Sequence, residues 1–162
     1  MDFIVANDGT RIAYHVRGEG SPIFIFNGFT CSEPNLKLLV ERLSKKYQII
    51  FWDYKGHGQS DTPKNYKEVT VAGSVDDARR VLEKLNIKKA IFLGYSTGTQ
   101  IMLEYNFRYP QVANSLISIA GFSDRVMDSF LNLDTTVFGQ LGEALKKLSP
   151  VVPHAFANAW RW

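Results

Sequence analysis

The fold is decided by the stretch Ala90-Ile91-Phe92-Leu93-Gly94-Tyr95-Ser96-Thr97-Gly98. It opens with an apolar run that is typical of a buried strand, and it leads into a helical pattern that Pro110 ends. A serine between two glycines at a strand-to-helix turn is the context of an exposed nucleophile, since the glycines leave room where strand and helix crowd together. Without this context the pattern would indicate only a tight turn.

Apolar and amphipathic segments alternate on both sides of this stretch. Buried strands are predicted at residues 23–26, 49–52, 90–93 and 116–120. Amphipathic helices are predicted at residues 36–43, 71–85 and 97–109. An opening hairpin is predicted at residues 3–6 and 11–17, turning at Asn7-Asp8-Gly9. The alternation predicts an α/β fold, a mostly parallel sheet with helices on both faces.

The alternation stops after the sixth strand. A helix is expected from near Asp134, with Pro150 breaking it, and no strand pattern follows. We therefore predict an incomplete core over residues 1–122, containing six strands, and the start of a helical cap over residues 123–162. The sixth strand would then be an open sheet edge, which favours self-association.

Composition excludes several classes of protein. The net charge of +3 comes from scattered Lys and Arg, so no basic face for nucleic acid is expected. No apolar run reaches the roughly 18 residues of a membrane span, and no secretory leader is recognisable. The single cysteine, Cys31, cannot form a disulfide within the chain, and a cytoplasmic protein is expected.

Neither a metal nor a cofactor is expected. The sequence has no metal-ligand spacing, no phosphate-cradling loop and no dinucleotide fingerprint. Asp76 and Asp77 lie among the polar positions of the second helix and are expected on its solvated face.

Two further loops follow predicted strands. The turn Phe26-Asn27-Gly28-Phe29-Thr30 offers the N–H of Phe29 as a donor to an oxyanion, although a plain loop is the alternative interpretation. The loop Asp53-Tyr54-Lys55-Gly56-His57-Gly58-Gln59-Ser60-Asp61 contains His57, whose position between glycines suits a structural histidine better than a general base.

Along the chain, the turn at Asn27-Gly28 follows the third strand, the Asp53 loop follows the fourth, and the Gly94–Gly98 turn follows the fifth. Motifs in this order resemble the α/β-hydrolase superfamily of esterases, lipases and peptidases, and the resemblance covers residues 2–121. The resemblance implies that Ser96 is the nucleophile and that the N–H groups of Phe29 and Thr97 form the oxyanion hole. It also implies that His57 is the loop histidine of the family and is not catalytic. Asn27-Gly28 stands where family members usually carry His-Gly, and because the oxyanion donor is a backbone group, this difference is compatible with activity.

The resemblance also implies an acid and a histidine after the nucleophile in chain order. Asp124 and His154 are the candidates within this chain. Asp124 follows the sixth strand but also suits a helix cap, and His154 has no strand before it. The chain therefore shows no convincing catalytic histidine.

The expected function is hydrolysis of ester-like bonds of a small-molecule acyl substrate, through an acyl-enzyme at Ser96. Serine at this position argues against the dehalogenases and epoxide hydrolases of the same fold, which resemble it but carry aspartate there. Two alternatives stay open. One is a non-catalytic ligand-binding protein on the same scaffold, and the other is an inactive truncated fragment.

Overall fold

The computed structural model describes residues 1–63, 67 and 69–121. The strands are β1 (Asp2–Val5), β2 (Arg11–Arg17), β3 (Ser21–Phe26), β4 (Tyr47–Trp52), β5 (Ala90–Tyr95) and β6 (Ala113–Ile119). The helices are α1 (Lys37–Leu43), entered through a 3₁₀ turn over Glu33–Leu36, α2 (Val71–Lys84) and α3 (Gly98–Arg108).

The six strands form one sheet in the order β1-β2-β4-β3-β5-β6. The hairpin β1-β2 and its junction with β4 are antiparallel, and every other pair is parallel. Phe26 at the end of β3 pairs with Gly94 near the end of β5. The carboxyl ends of the parallel strands thus meet at one edge of the sheet, where ligands of open α/β sheets bind.

The two faces of the sheet are covered by different helices. Alternate side chains of β3, such as Phe24 and Phe26, pack with α2 and α3, while Ile23 and Ile25 pack toward Val40 of α1. The α2–α3 side holds an aromatic cluster in which Phe26 and Phe92 meet edge to face at 5.1 Å. Strands buried on both faces explain why their sequences are continuously apolar rather than alternating.

The α/β class and the mostly parallel sheet with helices on both faces are confirmed. The predicted boundaries differ from the observed ones by up to three residues, and the largest difference is at β6, which begins at Ala113 rather than at residue 116. Ala113, Asn114 and Ser115 carry no apolar signal, yet Ala113 and Ser115 pair with β5 through a register irregularity. Within the described residues, no helix is long and apolar enough to cross a bilayer.

The predicted boundary at residue 122 and the cap helix over residues 123–162 lie outside the described residues, as do Asp124 and His154.

Candidate active site

Ser96 lies on a strained turn between β5 and α3. Its φ is +52°, in the left-handed region that non-glycine residues seldom adopt. The N–H of Ser96 donates to the carbonyl of Ile119 at 3.0 Å, and its carbonyl accepts from the N–H of Thr99 at 3.0 Å. Backbone strain held by its surroundings is typical of functional sites, and this geometry is the one expected of a nucleophile at a strand-to-helix turn.

The two glycines that flank the turn are required by close packing. A Cβ at Gly98 would lie 2.1 Å from the carbonyl oxygen of Phe26 and 2.3 Å from that of Asn27. A Cβ at Gly94 would lie 2.7 Å from the Cα of Thr99. Gly98 therefore allows α3 to start directly against the end of β3, and Gly94 allows β5 to lie against the first turn of α3.

The loop after β3 lies against the start of α3. The N–H of Phe29 donates to the Oγ1 of Thr97 at 2.6 Å, across 68 residues of sequence. The N–H of Thr97 makes no hydrogen bond within the described part of the chain. The structure thus brings Phe29 into contact with Thr97, the residue that follows Ser96 in the chain.

Asn27 and Tyr54 fix the base of this loop. The buried side chain of Asn27 donates through Nδ2 to the carbonyl of Trp52 at 2.9 Å. The hydroxyl of Tyr54 donates to the carbonyl of Asn27 at 2.8 Å, and burial raises the pKa of that hydroxyl. Asn27 therefore links this loop to the end of β4.

Asp53 organises the loop that follows β4. Its Oδ2 accepts from the N–H of Gln59 at 2.9 Å, and its carbonyl accepts from the hydroxyl of Ser60 at 2.6 Å. Gly58, with φ +49°, lies so close that a Cβ there would be 2.2 Å from Oδ2 of Asp53. Burial raises the pKa of the Asp53 carboxyl. Asp53 at the start of the loop is thus hydrogen-bonded to Gln59 and Ser60 near its end, and these contacts hold the loop together.

His57 packs beside the Phe29 loop. Its Nδ1 lies 3.0 Å from the carbonyl of Lys55, and because a carbonyl only accepts, Nδ1 carries a proton. The ring meets the rings of Phe29 and Tyr54 edge to face, at 5.7 and 6.0 Å. Within the described residues, neither His57 nor His15 hydrogen-bonds to the Ser96 hydroxyl.

A buried charge cluster near these loops was missed by the sequence reasoning. Lys55 Nζ lies 3.5 Å from Oδ1 of Asp8 and 3.5 Å from Oδ2 of Asp77. The prediction that Asp77 is solvated is wrong, since Asp77 is 3% exposed. The cation that pairs with Asp77 is Lys55, which lies in the loop after β4, so the pattern of helix α2 alone could not predict the burial of Asp77. Burial raises the pKa of Asp77 to about 6, against the opposing effect of Lys55.

Other reactive groups in the described part of the chain do not form a site. No group of three or more His, Cys, Asp or Glu residues there is arranged to hold a metal ion. Cys31 is half-buried near Gly28, and burial raises the pKa of its thiol. A raised pKa lowers the fraction of thiolate, which is the reactive form.

Comparisons with known proteins agree with this geometry. The family model described as the alpha/beta hydrolase fold matches residues 21–156. An uncharacterized protein of Mycobacterium tuberculosis is 27% identical over 146 residues, which cover 90% of this chain and 42% of that protein. The 2-(acetamidomethylene)succinate hydrolase of Mesorhizobium japonicum is 32% identical over 111 residues, 67% of this chain and 39% of that enzyme.

A solved structure gives the same result. An esterase from Exiguobacterium antarcticum superposes with a TM-score of 0.67 and 29% identity, over 74% of this chain and 44% of the esterase. The chain thus spans less than half the length of these relatives. With the family model covering most of its residues and the sheet order and turn described above, the chain belongs to the α/β-hydrolase family.

Proposed function

We propose that the protein is a serine hydrolase that cleaves ester-like bonds of small acyl substrates through an acyl-enzyme at Ser96. One observation carries the proposal. Ser96 is held at φ +52° between β5 and α3. The N–H of Phe29 donates to the side chain of Thr97, the residue that follows Ser96. Acyl transfer uses a serine nucleophile with backbone N–H donors near it, and the strained Ser96 beside Thr97 and Phe29 supports that arrangement.

The reaction assigns a role to each of these groups. The Ser96 hydroxyl attacks the substrate carbonyl and gives its proton to a general base, which passes it to the departing alcohol. The negative charge that develops on the carbonyl oxygen accepts hydrogen bonds from the N–H groups of Phe29 and Thr97. Thr97 also lies at the start of α3, where the helix dipole favours negative charge. Water then hydrolyses the acyl-enzyme.

The general base and its acid are proposed to lie outside the described residues, with His154 and Asp124 as the candidates within this chain. This fits the contacts of the two described histidines. Nδ1 of His57 hydrogen-bonds to the carbonyl of Lys55, and Nδ1 of His15 lies 3.7 Å from the carboxylate of Glu33. The hydrolase of Mesorhizobium japonicum and the esterase of Exiguobacterium antarcticum support the same broad class of reaction. We also propose a cytoplasmic location, on the basis of the single cysteine.

Hydrolysis of p-nitrophenyl acetate by the purified chain tests the proposal. We expect turnover that falls by on the order of 10³-fold or more in Ser96→Ala, because the nucleophile is lost. Ser74→Ala removes a hydroxyl from α2 and is the matched control, with unchanged turnover expected. His154→Ala and Asp124→Asn then show whether these residues supply the base and the acid.

Two results would contradict the proposal. Equal turnover in Ser96→Ala would place the chemistry elsewhere. No turnover by a folded chain, verified by circular dichroism, would favour the non-catalytic or truncated alternatives.

A further inference from the structure

The hydroxyl of Thr97 lies where the substrate oxygen is expected. Its Oγ1 is 2.6 Å from the N of Phe29 and accepts the hydrogen bond of that N–H. A reacting oxygen bound by the same N–H would have to lie about 2.7–3.1 Å from this nitrogen, along the same direction. An N–H has one hydrogen, so Oγ1 and a substrate oxygen compete for it.

The hydroxyl of Thr97 is not held by the helix that follows it. Thr97 is the residue directly before α3, yet its hydroxyl makes no capping hydrogen bond to the helix. Threonine in helical backbone divides between two χ1 rotamers, so a second staggered position is accessible at low cost. The backbone of Thr97 has φ −56° and ψ −27°, which is helical. Rotation about χ1 removes Oγ1 from the N–H of Phe29 without moving the backbone.

We propose that the Thr97 hydroxyl is a place-holder in the oxyanion hole, which accepts the Phe29 N–H in the resting protein and rotates away when a carbonyl oxygen binds. This inference rests on the proposed function, and it gives Thr97 a side-chain role beyond its backbone donor. In the resting protein the hydroxyl satisfies the Phe29 N–H, and a bound carbonyl oxygen takes its place as the acceptor. Thr97 is thus a positioning residue that acts through Phe29.

The pair Thr97→Ala and Thr97→Ser tests the inference, since the two variants differ by the hydroxyl alone. Amide hydrogen exchange of Phe29, measured by NMR on the full chain, reports the contact directly. We expect wild type and Thr97→Ser to protect this amide, and Thr97→Ala to exchange faster by about tenfold. Equal exchange of Phe29 in the Ser and Ala variants would overturn the inference, whatever the activity of the protein.

Binding of phenylboronic acid, whose oxygen enters the oxyanion hole when boron bonds to serine, gives the second readout. Removal of the competing hydroxyl is expected to tighten binding in Thr97→Ala by about two- to tenfold relative to Thr97→Ser, the equivalent of one net hydrogen bond. Weaker binding in Thr97→Ala would overturn the place-holder and indicate a purely structural hydroxyl.

The two readouts separate this inference from the proposed function. If no variant binds phenylboronic acid but the Phe29 amide still responds to Thr97→Ala, the nucleophile is contradicted and the resting contact is supported. Circular dichroism of each variant verifies the fold, and Thr97→Ser keeps the comparison valid because it preserves the acceptor.

Discussion

At the scale of single residues, the site depends on how closely the backbone of β3 approaches α3. Gly98 stands at this contact, where a Cβ would meet two carbonyl oxygens at 2.1 and 2.3 Å. These contacts are with backbone atoms, which cannot move aside as a flexible side chain would. The glycine is therefore a requirement of packing at the turn that presents Ser96.

We expect Gly98→Ala to lower the free energy of unfolding by about 1–3 kcal/mol, the cost of overpacking, although alanine itself favours helix by about 1 kcal/mol. Urea denaturation measures the change, and Ser74→Ala is the control for an alanine placed in a helix without such contacts. An unchanged or increased stability of Gly98→Ala would contradict the close approach.

Tyr54 provides a second prediction at this scale. Its hydroxyl donates to the carbonyl of Asn27 within the core, at 2.8 Å. Tyr54→Phe leaves this carbonyl without the hydroxyl donor, and we expect a loss of about 1–3 kcal/mol in the free energy of unfolding. Thermal and urea denaturation measure it. A change of less than a few tenths of a kcal/mol in the free energy of unfolding would contradict a stabilising role of this hydrogen bond.

The residues of the candidate site could be predicted because their signals are local. Ser96, Thr97 and Phe29 each follow directly from a strand end and a turn motif, and the parallel sheet brings strand ends together. Asp77 could not be predicted, because its burial depends on Lys55, 22 positions earlier in the chain. The hydrogen bond from the N–H of Phe29 to the hydroxyl of Thr97 could not be predicted either, because it joins residues that are 68 positions apart in the chain.

At the scale of elements, one buried ion cluster joins the β1–β2 turn, the loop after β4 and helix α2. Asp8, Lys55 and Asp77 contribute one cation and two carboxylates, all with side chains about 4% exposed. One cation cannot balance two buried anions, so one carboxyl is favoured in its protonated form. The raised pKa of Asp77, about 6, agrees with this charge balance, to which Asp76 also adds repulsion.

This cluster gives stability a defined pH dependence. Between pH 3.8, the ordinary pKa of aspartate, and about 6, folded Asp77 keeps a proton that the unfolded chain has lost. The unfolded state then binds fewer protons, so the free energy of unfolding falls as pH rises through this window. Between pH 4 and 7, we expect the free energy of unfolding of the wild type to fall by on the order of 2–3 kcal/mol more than that of Asp77→Asn.

Urea denaturation of both proteins at a series of pH values measures this difference. Because Asp8 and Lys55 remain in the variant, the comparison isolates Asp77. Parallel pH profiles for wild type and Asp77→Asn would contradict the assigned pKa.

The elements themselves were predictable from hydrophobic periodicity, since β3, β4 and β5 contain the apolar runs 23–26, 49–52 and 90–93, and α2 is amphipathic. The start of β6 was not predictable, because Ala113 and Ser115 enter the strand through backbone pairing with β5 rather than through side-chain burial. The 3₁₀ turn before α1 does have a local cause. Pro34 lies in its first turn, where proline is favoured.

At the scale of the whole molecule, β6 is one of the two edges of the described sheet, and β1 is the other. Strand β6 pairs with β5 on one side, and no other described strand pairs with it. Its apolar residues are unusually exposed, with Leu116, Ile117 and Ile119 at 40, 43 and 38%. An apolar strand with unpaired backbone groups is a template for pairing with a second copy of the chain.

We expect the 162-residue chain to associate with rising concentration, and Ile117→Lys to shift it toward monomer, because a charged residue disfavours edge pairing. Sedimentation velocity measures the distribution. Leu38→Lys, at a 72% exposed apolar position on α1, is the matched control and should associate as wild type does. Association that survives Ile117→Lys would exclude this edge as the contact.

The central claim is that the strained turn presents Ser96 as a nucleophile. Incubation with a fluorophosphonate, followed by mass spectrometry of the digested protein, tests it most directly, since the reagent bonds to an activated serine. We predict an adduct on the peptide that contains Ser96, and no adduct in Ser96→Ala. An adduct confined to another residue, or a folded chain that carries none, would contradict the claim.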